Sequence, residues 1–502
     1  MELLSNLAQG FAVALTAVNL LYCLIGVVLG TLIGVLPGIG PVATIAMLLP
    51  ITFNLPPVSA LIMLAGIYYG AQYGGSTTAI LVNLPGEASS VVTMLDGYQM
   101  ARQGRAGPAL AIAAIGSFFA GCVSTLLLAM FSPPLAEIAF KFGPAEYFSL
   151  MVLGLIAAVV LARGSLLKAL GMIVLGLLLG LVGTDVNSGT QRYVFGLPEL
   201  SDGLGFVVVG MGLFAFAEIV RNLEVTETRE VFTANVTGLM PTVKDLKASW
   251  KAILRGTGLG SLLGILPGGG AVLASFAAYT LEKRVAKDPS RFGKGAIEGV
   301  ASPESANNAA AQTSFIPMLT LGIPPNPVMA LMIGAMTIQG IQPGPQVMTQ
   351  RPDLFWGMIA SMWVGNLLLL ALNLPLIGIW VRLLRVPYRL LYPAIMLFCC
   401  IGVYSLSNQT MDVVLTAAFG LLGYLFVKLD CEPAPLLLGF ILGPMMEENL
   451  RRAMLISRGD WSVFVTRPLS LTLLLVAAVL LLMIVAPAVR KTREETFQES
   501  AR

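Results

Sequence analysis

The stretch Leu471–Val489 contains no charged residue, and apolar runs of this kind recur from one end of the sequence to the other. Such runs constrain the fold more than anything else in the chain. A segment of about 20 apolar residues spans a bilayer as a helix. Inside lipid only helices and closed barrels satisfy their own backbone. A barrel would show short segments of alternating polarity, which these continuous runs are not. Composition agrees. Hydrophobic residues make up 56% of the chain and charged residues 11%, against about 25% charged in a soluble domain. The expected fold is all-α and polytopic, with roughly 10–12 crossings plus re-entrant or broken helices. The run Phe11–Leu36 exceeds the core of a signal peptide and reads as a retained first helix.

The chain has no histidine, which excludes His-based triads, zinc-protease helices and histidine proton relays. None of its five cysteines stands in a CxxC spacing, so they read as small core or lipid-facing residues rather than metal ligands. The net charge of +3 is small for this length, and no basic cluster suggests nucleic acid. There is no P-loop and no GxSxG, so the chain itself should not hydrolyse ATP.

A charged stretch divides the chain near its middle. The expected organisation is a first membrane repeat in 1–220, a polar cytoplasmic connector in 221–255, a second repeat in 256–489 and a polar tail in 490–502. Basic clusters at Lys244–Arg255, Lys283–Lys294, Arg382–Arg389 and Arg490–Arg493 are assigned to the cytoplasm by the positive-inside rule. Glu447, Glu448, Arg451 and Arg452, just past an apolar run, read as interfacial. Arg102 and Arg105 fall in what reads as a polar turn, Asp96–Gly107.

The two halves resemble each other. Gly30–Ala43 reads GTLIGVLPGIGPVA and Gly260–Leu273 reads GSLLGILPGGGAVL, with eight of fourteen positions identical. Fainter echoes follow in the same order. Ser76-Thr77-Thr78 then Asn83-Leu84-Pro85-Gly86 is matched by Thr313-Ser314 then Thr320-Leu321-Gly322-Ile323-Pro324, and Gly107-Pro108 by Gly344-Pro345. A duplication with inverted topology is expected. Transporters built from such repeats bind substrate near the midplane, at interrupted helices from each repeat.

The interruptions carry the candidate chemistry. Leu36-Pro37-Gly38-Ile39-Gly40-Pro41 and Leu266-Pro267-Gly268-Gly269-Gly270 each break an apolar run, because proline removes a donor and glycine tolerates unusual dihedrals. Each break would start a new helix, whose free N–H groups suit an anion; the alternative is a pair of packing kinks. Tyr68–Thr78 is polar and glycine-rich, and its hydroxyls and amide could line a cavity. Taken singly, Ser and Thr in membrane helices bond their own backbone. Ser302-Pro303-Glu304-Ser305-Ala306-Asn307-Asn308 is the most unusual stretch, since polar groups at membrane depth are costly and mark ion or substrate paths. Asn307 and Asn308 offer oxygens to Na⁺. Glu304 reads as a cation ligand, a protonatable coupling group, or an N-terminal helix residue favoured by the dipole. Leu321–Pro327 reads as the tip of a re-entrant hairpin. A channel would use the same breaks as a filter. A membrane enzyme would need an acid–base pair that the sequence lacks.

These motifs resemble those of TctA, the large membrane subunit of the bacterial tripartite tricarboxylate transporters. The likeness rests on GTLIGVLPGIGP, AGIYYGAQYGGSTTAILVNLPGEASSVVTMLDGYQ, GILPGGG, EGVASPESANNAAAQTSFIPMLTLGIPPNPVMALMIGAM and IQPGP. The resemblance implies a multi-pass protein of the bacterial inner membrane. Its expected partners are a small TctB-like membrane subunit and a periplasmic TctC-like solute-binding protein. It implies uptake of citrate or related carboxylates driven by a Na⁺ or H⁺ gradient, with no cofactor beyond a coupling Na⁺. It also implies that the matching stretches form the translocation site. The residues assigned to substrate are Gly38, Gly40, Ser76, Thr77, Thr78, Asn83, Gly268, Gly269, Gly270, Ser302 and Thr320. Those assigned to the coupling ion are Glu304, Asn307 and Asn308. Departures such as Pro325-Asn326-Pro327 lie where substrate choice would vary.

Overall fold

The computed structural model describes residues 2–36, 40–161, 165–185, 188–224, 239–266, 270–383 and 388–485. Among these residues the chain is helical almost throughout, the exception being one antiparallel pair of two-residue strands, Gly183–Thr184 with Gln191–Arg192. It is an all-α, polytopic membrane protein. Four helices are long and apolar enough to cross a bilayer: Ala17–Val35 (α1), Ala106–Ala139 (α5), Pro352–Asn373 (α10) and Thr410–Lys428. Shorter apolar helices include Gly40–Thr52 (α2) and Pro327–Ile338 (α9). Two further long helices dilute their apolar content. Pro57–Val82 (α3) carries the polar stretch 68–78, and Val243–Ile265 (α6) carries the charges of 244–255. Crossings counted from sequence as uniform spans are therefore shared between long helices and short broken ones.

The duplication is visible as a helix pair that recurs. In the first half α1 packs along α3. A Cβ on Gly26, Gly30 or Gly34 would strike the carbonyl oxygens of Met63, Ile67 and Ala71 in turn. In the second half α6 packs along Glu298–Thr313 (α8), and Gly256, Gly260 and Gly264 meet Ser302, Ala306 and Ala310 in the same way. Small residues four apart let two backbones touch, which is how helices associate where lipid removes the hydrophobic drive. The ladders fix the equivalence position by position: Met63 matches Ser302, Ile67 matches Ala306, and Ala65 therefore matches Glu304.

The correspondence continues past the ladders. The helix α3 ends at Asn83, in the left-handed region at φ 57°, and Phe315–Leu321 ends at Gly322, at φ 71°. Glu87 then caps the turn Ala88–Ser90 that leads into Val91–Arg102 (α4), while Asn326 caps α9 by accepting from the Met329 N–H at 2.9 Å. After the breaks, α2 packs against α9 of the other repeat, and Gly270–Val285 (α7) packs against the Ala88–Ser90 turn and α4. The two repeats interlock, each placing its post-break helix on the returning helix of the other.

Ion pairs mark the ends of this assembly. The charged stretch before residue 256 is helical from Val243, started by a Thr242–Asp245 capping box, and Asp245 holds Arg105 at 2.6 Å. Arg255 grips the buried Glu282 of α7 through two bonds of 2.6 and 2.7 Å. Glu447 and Arg451 form a network with Asp185 and Arg192 of the small hairpin. The expected polar turn Asp96–Gly107 is a correction: α4 runs to Arg102, and Asp96 is buried within it. Its methyl-rich neighbours Val92 and Met100 are buried beside it, which sequence polarity alone concealed.

Candidate functional site

Glu304 lies fully buried on α8, and its carboxylate faces the first repeat. The helix begins at Glu298, which occupies the first turn. Glu304 therefore sits too deep for the helix-dipole explanation of its presence. Oε2 accepts from the Ser76 hydroxyl of α3 and from Asn307 Nδ2 at 3.5 Å. Oε1 accepts from the Thr93 hydroxyl of α4 at 2.5 Å. Among the described residues no lysine or arginine pairs with it. A charge excluded from water needs a counter-charge or a proton.

The other side chains close around this carboxylate. Asn308 Nδ2 donates to Ser117 of α5 at 2.8 Å, to the Glu304 carbonyl at 3.1 Å and to Asn307 Oδ1 at 2.6 Å. Ser117 Oγ also donates to the Glu304 carbonyl at 3.4 Å. Gln72 carries the contacts outward: its amide donates to Glu87 at 2.9 Å and accepts from Ser89 at 2.8 Å. A small cleft opens beside the cluster, lined by Tyr73, Ser76, Thr77, Ser117 and Asn373 among others. Ser76 and Ser117 thus touch both the cleft and Glu304.

Buried polar atoms without a partner lie along the same helix. They are Asn308 Oδ1, Ser302 Oγ and both amide atoms of Gln312. Glu304, Asn308 and Gln312 are successive at four-residue spacing and share one face of α8. Each unpaired buried group costs about 1–3 kcal/mol.

A second tie joins the repeats below this cluster. Asp96 Oδ1 accepts from the N–H groups of Gly295 and Ala296, each at 2.8 Å, and Oδ2 accepts from Tyr279 of α7 at 2.9 Å. The carboxylate thereby pins the segment that leads into α8.

The residues singled out from sequence divide clearly. Ser76, Glu304, Asn307 and Asn308 are brought together, and Thr77 joins them at the cleft. Thr78 is turned away, donating to the Val35 carbonyl at 2.7 Å, and Thr320 donates to its own helix at Ile316, 2.6 Å. Asn83 is an exposed turn residue. Ser302 is buried, with its backbone under Gly256. Gly40 and Gly270 open α2 and α7 with φ of 65° and 55°. Gly38, Gly268 and Gly269 lie outside the described residues. The Gln72 amide, read as lining a cavity, is held by Glu87 and Ser89 instead, and Thr93, Ser117, Asp96 and Gln312 were missed. For Gln312 the signal was present, as an amide one turn beyond Asn308.

A family model described as "Tripartite tricarboxylate transporter TctA family" matches residues 20–438. An Agrobacterium vitis protein described as "Uncharacterized 52.8 kDa protein in TAR-I ttuC' 3'region" is 61% identical over 499 residues, 99% of each chain. A second from the same organism, "Uncharacterized protein in TAR-II ttuC' 3'region", is 62% identical over 240 residues, 48% of this chain and 99% of that one. No solved structure matches the chain significantly.

Proposed function

The chain belongs to the tripartite tricarboxylate transporter TctA family, and from that premise we propose that it is the substrate-translocating subunit of a binding-protein-dependent secondary transporter. It imports tricarboxylates or related carboxylates across the bacterial inner membrane. A small TctB-like membrane subunit accompanies it, and a periplasmic TctC-like protein delivers the substrate. A gradient of Na⁺ or H⁺ drives uptake.

The observation that carries this reading is the buried Glu304, met by Ser76 and Thr93 of the opposite repeat with no cationic partner among the described residues. A coupling ion must bind where alternating access can expose it to either side, and the join between two repeats is such a place. The small residues along both ladders suit two bundles that move as units. Carboxylate substrate binds beside the ion, at the cleft and at the helix starts after the two breaks, where N–H groups attract anions.

Proteoliposomes test this reading. The chain and its small subunit are reconstituted, the binding protein is added, and uptake of labelled carboxylates is measured with a Na⁺ gradient, a proton gradient or neither. Accumulation that needs both a gradient and the binding protein is expected. Downhill flux indifferent to both would favour a channel and remove the coupling role from Glu304.

A further inference from the structure

We infer that the coupling ion is a proton, carried on Glu304 and delivered from the cleft through the hydroxyl of Ser76. This rests on the transporter reading above and adds the identity of the ion.

The first argument counts hydrogens. A serine hydroxyl has one hydrogen and two lone pairs. Ser76 Oγ stands within reach of two acceptors, the Gln72 carbonyl at 3.0 Å and Glu304 Oε2. With its hydrogen turned to Glu304, Ser76 serves a charged carboxylate. With its hydrogen turned to Gln72, a bond a helical serine readily makes, Ser76 presents a lone pair to Oε2. A hydrogen on Glu304 then completes the bond. Thr93 donates to Oε1 in both states. The site accepts and releases a proton by the rotation of one hydroxyl, and Glu304 keeps its contacts with both hydroxyls in either state.

The second argument counts oxygens. A metal ion needs several oxygens with free lone pairs around it. Here the amide nitrogen of Asn307 is turned on the carboxylate, and Asn307 Oδ1 and Ser117 Oγ are both occupied by Asn308 Nδ2. Asn308 Oδ1 is the neighbouring amide oxygen left without a partner, and one such oxygen beside the carboxylate is too few for a Na⁺ shell.

The surrounding charges leave the role to Glu304. From α3, Tyr73 faces the cleft, and Glu87 beyond it is held by Gln72. From α4, Asp96 is fixed by Gly295, Ala296 and Tyr279. On α8, Glu298 pairs with Arg291; from α6, Arg255 is committed to Glu282 of α7. A hydronium ion in the cleft gives a proton to Ser76 Oγ and is left as water, as the Ser76 O–H bond breaks and the Glu304 Oε2–H bond forms. Ser76 remains a hydroxyl and Glu304 becomes neutral. Release runs in reverse.

Infrared spectroscopy of the full chain in liposomes tests this directly. A carboxylic-acid band is expected that bleaches as pH is raised, is absent from Glu304→Gln, and is unmoved by Na⁺ alone. Loss of the band on adding Na⁺, or its absence from the wild type at every pH, would overturn the assignment; neither outcome depends on the variant folding. In the transport arm, citrate is the probe, with the small subunit and binding protein present. Accumulation in sodium-free buffer under a proton gradient is expected. An absolute Na⁺ requirement with no response to pH overturns the proton but leaves the transporter. A titrating band without uptake of any carboxylate leaves the proton site and removes the transporter.

Discussion

Ser76 and Glu304 are 228 residues apart and belong to different repeats, yet the hydroxyl of one donates to the carboxylate of the other. The contact couples two events that would otherwise be separate. Any movement of one repeat past the other disturbs the hydrogen bonds of Glu304, and any change in the charge of Glu304 alters how strongly the repeats hold together. The same logic extends to Thr93, the other hydroxyl on this carboxyl group.

Thr93→Val keeps the shape of the side chain but leaves Glu304 Oε1 unpaired. The loss is expected to be about 1–3 kcal/mol, the cost of orphaning a buried group. Thermal unfolding in detergent measures it, and gradient-driven accumulation should fall in the same variant. Unchanged stability would mean that Oε1 finds another donor.

The glycine ladder predicts a contrast within a single helix. Gly260 lies against the Ala306 backbone, whereas Gly258 two residues away has open space around it. Gly260→Val should destabilise by about 1–3 kcal/mol or more, as overpacking does. Gly258→Ala should leave the folded yield and melting temperature unchanged. Equal behaviour of the two variants would refute the close approach of α6 and α8.

Asp96→Ala removes the acceptor for two backbone N–H groups in the segment just before α8. The segment between α7 and α8 is then expected to be cut faster in limited proteolysis. Asp96→Asn retains one acceptor oxygen and should fall between the alanine variant and the wild type.

Arg255→Met strands the buried Glu282 without its bidentate partner. Stranding a buried charge costs about 3–5 kcal/mol, and the partial exposure of Arg255 places the expected loss at or below the lower end. Adding Glu282→Gln should restore most of it, as read from the melting temperature of the single and double variants.

Much of this was legible in the sequence, for reasons that can be named. Long uncharged runs announce lipid-facing helices because so few other structures tolerate them. The duplicated glycines announce the paired breaks, and Glu304, Asn307 and Asn308 stand out because polar groups are conspicuous in an apolar helix. What escaped was the other half of the site. Ser117 lies in an alanine-rich span where a lone serine more often bonds its own backbone. Thr93 and Asp96 lie in α4, where interspersed polar residues mimic a turn; only the packing of α4 against α8 and the segment before it gives them a carboxylate to hold and backbone N–H groups to bind. Thr78 erred in the other direction. It belongs to a conspicuous polar run, but its hydroxyl points to the end of α1 at Val35.

The ladders align Glu304 with Ala65, so the duplication that copied the scaffold left this acid in one half alone. A transporter that carries one proton per cycle on that acid neutralises a single negative charge. A substrate with two or three ionised carboxylates then enters with net negative charge, against a membrane potential negative inside, at about 2.3 kcal/mol per charge per 100 mV. Under the proposed one-proton cycle such uptake is electrogenic in the unfavourable sense unless the substrate arrives partly protonated, and the acidity of the surroundings would set the gradient it can sustain.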